Sequence, residues 1–268
     1  MGKRIVVKVG TSTLIRDNGA TDLRTLDHLA RVLSDVKGMG NDVILVSSGA
    51  IGVGTRKLGL PERPSELKYK QAVAAVGQCE LMYLYDKFFG DYNQTVAQIL
   101  LSGGDVESPL RKENLERTFE ALLELGVIPV VNENDSVSSA EIETGRNKIL
   151  GDNDTLSAIV AVLCNADILI ILTDIDGLYN ANPFWEKNAE LIPVVHEIND
   201  DIRAFAGVSG SSNWGTGGMV TKLAAAELAL RNGIETVITS GSKTEGIYDI
   251  LEGKSCGTRF SAKGANSI

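Results

Sequence analysis

Histidine is nearly absent from this chain, whose 268 residues include only His28 and His196. Imidazole-based metal sites and Ser-His-Asp triads both need histidine at the reacting centre, so neither is expected. His28 falls within a helical pattern and His196 beside Val194 and Val195, positions that suit structural roles. Cysteine is scarce as well. Cys79, Cys164 and Cys256 lie far apart with no CxxC pair, which predicts reduced thiols in a cytoplasm, packed as small hydrophobes. No apolar run approaches the roughly 18 residues needed to cross a bilayer. Lys8 interrupts the N-terminal run before it could serve as a signal-peptide core. A cytoplasmic protein with no membrane partner is therefore expected.

An excess of positive charge is also missing. The net charge is -9, whereas phosphate backbones are bound by basic faces, so nucleic acid is not an expected partner. Any anionic ligand must instead be gripped locally, by individual lysines, backbone N–H groups or a metal. Hydrophobic residues at 43% and charged residues at 23% are ordinary globular values. The length is at the upper end for one core. No repeat, low-complexity tract or linker divides it, so one domain over 1–260 is expected, with a frayed tail at 261–268.

What the chain does have is alternation. Short β-rich runs at 5–9, 43–47, 95–100, 127–131, 168–173 and 236–239 are separated by helical patterns at 22–37, 68–89, 110–125, 153–164 and 218–231. In the helix at 110–125, Leu115, Phe119, Leu122 and Leu123 recur at helical spacing with charges opposite. In the long helix, Tyr83, Leu84 and Phe88 are expected in the core, with a subunit contact as the alternative. The strands are near-continuous apolar runs, as when both sheet faces are covered. Strand–helix alternation of this kind predicts an α/β sandwich around a mainly parallel sheet, with ligands bound beyond the strands' carboxyl ends.

Those strand ends carry the unusual residues. The first runs Val7-Lys8-Val9-Gly10-Thr11-Ser12; Gly10 lets backbone approach a phosphate and Lys8 can neutralise it. A solvated strand-end lysine is the plainer alternative. The second runs into SSGAIGVG at 47–54, read as a glycine loop whose N–H groups converge on an anion. It is neither GxGxxG, since Lys57 stands where the last glycine belongs, nor a P-loop. GTGGMVTK at 215–222 feeds a helix with Lys222 near its start, a poor place for a cation unless an anion sits there. LTDIDGLY at 172–179 ends a strand in an Asp-Gly turn that could meet a ribose or base. Between 132 and 158 the chain packs six carboxylates. Asp152 or Asn153 can N-cap the following helix, but capping accounts for one of them only.

These segments, with AAVGQ at 74–78, NENDSV at 132–137 and GDNDTLSA at 151–158, resemble the amino acid kinase family in content and order across nearly the whole chain. The resemblance implies a three-layer αβα sandwich and ATP-dependent phosphorylation of the L-glutamate γ-carboxylate, the first step of proline synthesis. It implies ATP as co-substrate with Mg²⁺ held through ATP oxygens, and a homo-oligomer, dimer or tetramer. It also implies a functional link to glutamyl phosphate reductase. Carried over by position, Lys8 and Lys222 are similar to phosphate-stabilising lysines and Asp154 to the carboxylate that organises them. Ser48, Gly49, Ala50, Asn132, Asp135, Asp152 and Asn153 correspond to the acceptor side. Gly10, Thr11, Thr173, Asp174, Thr216, Gly217, Gly218 and Met219 join the two lysines on the nucleotide side. The stretch 141–150 is longer than the family pattern expects, and the chain ends where many relatives add a PUA domain.

The implied chemistry suits the composition. A carboxylate acceptor is ionised at neutral pH and needs no general base, so a histidine-poor site suffices. Holding two anions in line and stabilising the transferred group is the main task. An N-acetylglutamate kinase would leave Asp135 without an ammonium to meet, and a uridylate kinase should show basic residues near 132–154. A non-catalytic nucleotide sensor would not need Lys8, Asp154 and Lys222 together.

Overall fold

The computed structural model describes residues 2–16, 18–137, 152–208 and 218–262. Its strands are β1 (Arg4–Val9), β2 (Asp42–Val46), β3 (Val96–Leu101), β4 (Ile128–Glu133), β5 (Ile168–Thr173), β6 (Val194–Val195), β7 (Glu235–Ser240) and β8 (Thr258–Phe260). They form one sheet in the order β3-β4-β2-β1-β5-β7-β8-β6. Every pairing is parallel except β7 with β8, so the β8–β6 edge runs against the rest. The helices are α1 (Thr11–Leu14), α2 (Leu23–Gly38), α3 (Ala50–Lys57), α4 (Leu67–Asp91), α5 (Gly103–Glu107), α6 (Pro109–Glu124), α7 (Asn153–Leu163), α8 (Asp200–Val208), α9 (Met219–Arg231) and α10 (Gly246–Leu251).

Strand periodicity decides which helices meet which residues. Successive side chains of β1 point to opposite faces. Ile5, Val7 and Val9 pack in the layer of α2, α3, α4 and α10, while Val6 packs in the layer of α6, α7 and α9. The expected αβα sandwich is therefore the observed one. Lys8 shares the face of Val6, so its ammonium enters the α7/α9 layer. In α6 the apolar stripe behaves as its spacing predicts: Phe119 is buried, with Leu115, Leu122 and Leu123 packed around it.

Several expectations need correction. SSGAIGVG is not a loop: after Gly49 the chain enters α3, and two of its glycines lie inside that helix. A Cβ on Gly54 would stand 2.0 Å from the Val73 carbonyl oxygen of α4, and one on Gly77 would stand 1.7 Å from that of Ala50. At least Gly54 therefore serves backbone-to-backbone helix packing. The short strands β6 and β8 carry too few residues for a periodic signal. Cys79 is exposed, whereas Cys164 is buried and Cys256 partly so. On α4, Leu84 is buried and Phe88 packs on the core, but Tyr83 is 61% exposed because it falls on the outer face. Ser261 is buried and its N–H donates to Val195 O at 3.1 Å, so ordered pairing continues past β8. The 141–150 stretch and residues 263–268 lie outside the described residues. Among the described residues no helix is long and apolar enough to cross a membrane.

Candidate active site

At the carboxyl end of β1, three charged side chains meet inside the protein. Lys8 Nζ lies 2.6 Å from Asp154 Oδ1, and Lys222 Nζ lies 3.2 Å from Asp154 Oδ2. Each is at most 6% exposed. Three elements deliver them: Lys8 from the central strand, Asp154 from the first turn of α7, Lys222 from the first turn of α9. The start of α7 is fixed by Asp152, whose Oδ1 accepts from the Thr155 N–H at 2.8 Å, so capping and charge placement fall to neighbouring residues. The Thr221 hydroxyl donates to Asp154 Oδ2 at 2.8 Å and has the Gly218 carbonyl at the same distance.

Burial and charge oppose each other here. For Asp154, desolvation works against ionisation, but Lys8 and Lys222 outweigh it and hold the carboxyl below its ordinary value. Lys8 is pushed below the usual lysine range by burial first; Asp154 opposes that shift and the charge of Lys222 adds to it. The trio carries one net positive charge in a low-dielectric setting, suited to an incoming anion. Gly10 borders it: a Cβ there would stand 3.4 Å from Lys8 Nζ. Thr11 begins α1 immediately beyond.

Two clefts flank this centre. One, of about 690 Å³, opens beyond β5 and β7 and is lined by Asp174, Tyr179, Phe184, Ser240 and Lys243, among others. Thr173 is buried beside it, its hydroxyl donating to Asp174 Oδ1 at 3.0 Å. Gly218 caps α9, while Met219 packs into the core beneath. Thr216 and Gly217 lie outside the described residues.

The other cleft, of about 380 Å³, opens beyond β3 and β4 and is lined by Ala50, Gln78, Cys79, Gln98, Glu133 and Asp135, among others. Gly49 adopts φ 90° to turn β2 into α3, placing buried Ser48 where Asn153 Nδ2 donates to its Oγ at 2.8 Å. Asn153 Oδ1 is buried with no hydrogen-bond partner among the described residues. Asn132 is buried, its Nδ2 donating to Gln78 Oε1 at 2.8 Å.

Among the described residues the structure joins Lys8, Asp154 and Lys222, pairs Ser48 with Asn153, and sets Ala50 and Asp135 on one cleft and Asp174 on the other, while Met219 packs into the core. It adds Thr221, Gln78 and the Ser240–Lys243 wall. The polar run after β7 was detectable by applying the strand-end rule to the last parallel strand; Thr221 and Gln78 needed three-dimensional contacts. His28 and His196 stand elsewhere, His28 Nδ1 3.6 Å from Glu245 and His196 Nδ1 2.9 Å from the Ser261 carbonyl.

A profile of the amino acid kinase family matches residues 3–240. A glutamate 5-kinase of Clostridium perfringens is 53% identical, covering 97% of this chain and 96% of its own length. Among solved structures, the carbamate kinase of Giardia lamblia bound to AMP-PNP superposes with a TM-score of 0.68 at 20% identity, covering 98% of this chain and 99% of that one. The UMP kinase of Bacillus anthracis superposes with a TM-score of 0.65 at 16% identity, over 98% and 97% of the two chains. At such identities these two structures speak for the fold alone.

Proposed function

This chain belongs to the amino acid kinase family, and we propose that it transfers the γ-phosphoryl group of ATP to the γ-carboxylate of L-glutamate. The product is L-glutamyl 5-phosphate, and the reaction is the first step of proline biosynthesis. One observation carries the catalytic reading: a buried carboxylate, Asp154, grips two buried lysines between the two clefts.

ATP occupies the larger cleft, its base end near Asp174 and its phosphates toward Lys8, Lys222 and the start of α9. Gly10, Thr11, Thr173 and the 216–219 segment border that path. Glutamate occupies the smaller cleft, its γ-carboxylate toward Ser48 and its α-ammonium toward Asp135, with Asn153 Oδ1 as a further acceptor. A γ-carboxylate oxygen attacks the γ-phosphorus, that P–O bond forms as the bond to the bridging oxygen breaks, and ADP leaves. Both reacting groups are already ionised, so the residues act by alignment and by stabilising charge. Lys8 and Lys222 face the charge that develops on the transferred group, and Asp154 keeps the two cations close to each other.

Mg²⁺, held through ATP oxygens, would supply further charge neutralisation on the phosphates. Asp154 is already engaged by both lysines, so this carboxylate would not be needed to hold the ion.

The smaller cleft favours a free amino acid over the acceptors of related kinases. Among the described residues its lining includes Glu133 and Asp135 and no lysine or arginine, which suits an ammonium and opposes a substrate phosphate. Residues 1–260 then act as one kinase domain. Tyr69 and Tyr83 stand 52% and 61% exposed on α4, which supports a homo-oligomer, dimer or tetramer. A cytoplasmic location and a handover to glutamyl phosphate reductase fit a product whose acyl phosphate hydrolyses readily. The test is ATP turnover with glutamate, N-acetylglutamate and UMP in parallel. ADP release dependent on glutamate alone is expected; equal or greater turnover with either rival acceptor overturns the assignment.

A further inference from the structure

Among the described residues the smaller cleft is lined by no lysine or arginine, yet a glutamate bound there must place its α-carboxylate somewhere. A short relay of amides resolves this. The Glu133 backbone N–H donates to Asn132 Oδ1 at 2.9 Å. A backbone N–H can only donate, so this bond fixes which end of the Asn132 amide is oxygen. The Asn132 Nδ2 is thereby turned to Gln78, where it donates to Oε1 at 2.8 Å. With Oε1 spent on a buried neighbour, the Nε2 group is what Gln78 has to offer the cleft it lines.

We propose that Gln78 is a specificity-determining residue that donates from Nε2 to the acceptor's α-carboxylate. The fixed amide polarity makes α4 the donor wall of the cleft, opposite in character to the Glu133–Asp135 wall that suits the α-ammonium. The described lining thus tells the two α-substituents apart by amide donor against carboxylate. The inference rests on glutamate being the acceptor and adds which residue reads its α-carboxylate.

Gln78→Glu is the discriminating variant, because it keeps the side-chain length and an acceptor for Asn132 while replacing the donor with a carboxylate. Losing a hydrogen bond to a charged group should raise the glutamate KM by about 10- to 100-fold. The ATP KM and the melting temperature should stay close to those of the parent. The second arm uses glutamate whose α-carboxylate has been converted to the amide, measured as a competitive inhibitor of glutamate turnover. Its Ki should be unchanged or lower in the variant, since a carboxylate at position 78 can accept from that amide. An unchanged glutamate KM, or a Ki that rises as much as the KM, overturns the proposal. Should the parent itself fail to turn over glutamate, the functional reading fails instead, and the two failures are distinct.

Discussion

Lys8 and Asp154 form an ion pair of 2.6 Å whose side chains are only 7% and 2% exposed. The two partners are not equivalent, because Asp154 also holds Lys222 and accepts from Thr221. Replacing Lys8 by methionine removes one cation while the carboxylate keeps both other contacts. Lys8→Met should therefore fold with nearly the parent's melting temperature and lose about 10²- to 10³-fold in kcat, the usual cost of one transition-state donor. Melting and turnover measured on one preparation check this. Near-normal kcat would make Lys8 a structural residue.

Asp154→Asn removes the shared partner and leaves the Lys8 ammonium buried and unpaired. The expected cost is about 3–5 kcal/mol at neutral pH, together with a severe loss of kcat. The sign of the pH dependence follows. Without its counter-charge, Lys8 in the folded variant titrates still further below its ordinary value near 10.5. Between the folded and unfolded values the unfolded chain holds the extra proton, so stability rises with pH across that window. Denaturant midpoints at neutral and moderately alkaline pH should show the gap between variant and parent narrowing. A gap that stays constant would mean the loss is not a buried charge.

The Thr221 hydroxyl has one proton and two acceptors at 2.8 Å, Asp154 Oδ2 and the Gly218 carbonyl. It ties the last residue of the glycine-rich segment to the carboxylate that organises the lysines. Thr221→Val should raise the ATP KM several-fold and lower kcat with little change in glutamate KM, and Thr221→Ser should restore both. If the serine variant behaves like the valine one, the hydroxyl is not the operative group.

Where the sequence was a good guide, a local pattern coincided with a tertiary role. Lys8 and Val6 could be assigned to one face by period two alone, and β5 was read to its exact ends at Ile168–Thr173. Asp152 was recognisable as a cap because capping is local. The SSGAIGVG segment misled because a glycine needed for helix contact looks identical, in sequence, to one needed for a phosphate loop. Gln78 and Thr221 stood inside AAVGQ and GTGGMVTK, but their roles could not be read there, because their partners Asn132 and Asp154 lie 54 and 67 positions away.

The α3–α4 contact gives its own prediction. Alanine is favoured over glycine in a helix by about 1 kcal/mol, so Gly77→Ala would stabilise an isolated α4. Here the added Cβ would stand 1.7 Å from the Ala50 carbonyl oxygen, forcing the helices apart. Net destabilisation of about 1–3 kcal/mol is expected, with a raised glutamate KM because Ala50 lines the acceptor cleft. Chemical denaturation measures the first and steady-state kinetics the second; a stabilised variant would show that the two helices separate freely.

The central position of β1 also sets a timetable for synthesis. The first strand to leave the ribosome is flanked by β2, made soon after, and by β5, made only once more than half the chain is complete. Lys222 follows Asp154 by another 68 positions. At about 5–20 residues per second, a nascent chain exists for seconds with Lys8 made but without its carboxylate, and then with the carboxylate but without Lys222. On the proposed mechanism, phosphoryl-transfer capacity therefore appears late and all at once, when α9 emerges. Ribosome-held fragments that stop before it lack the second of the two lysines that Asp154 holds.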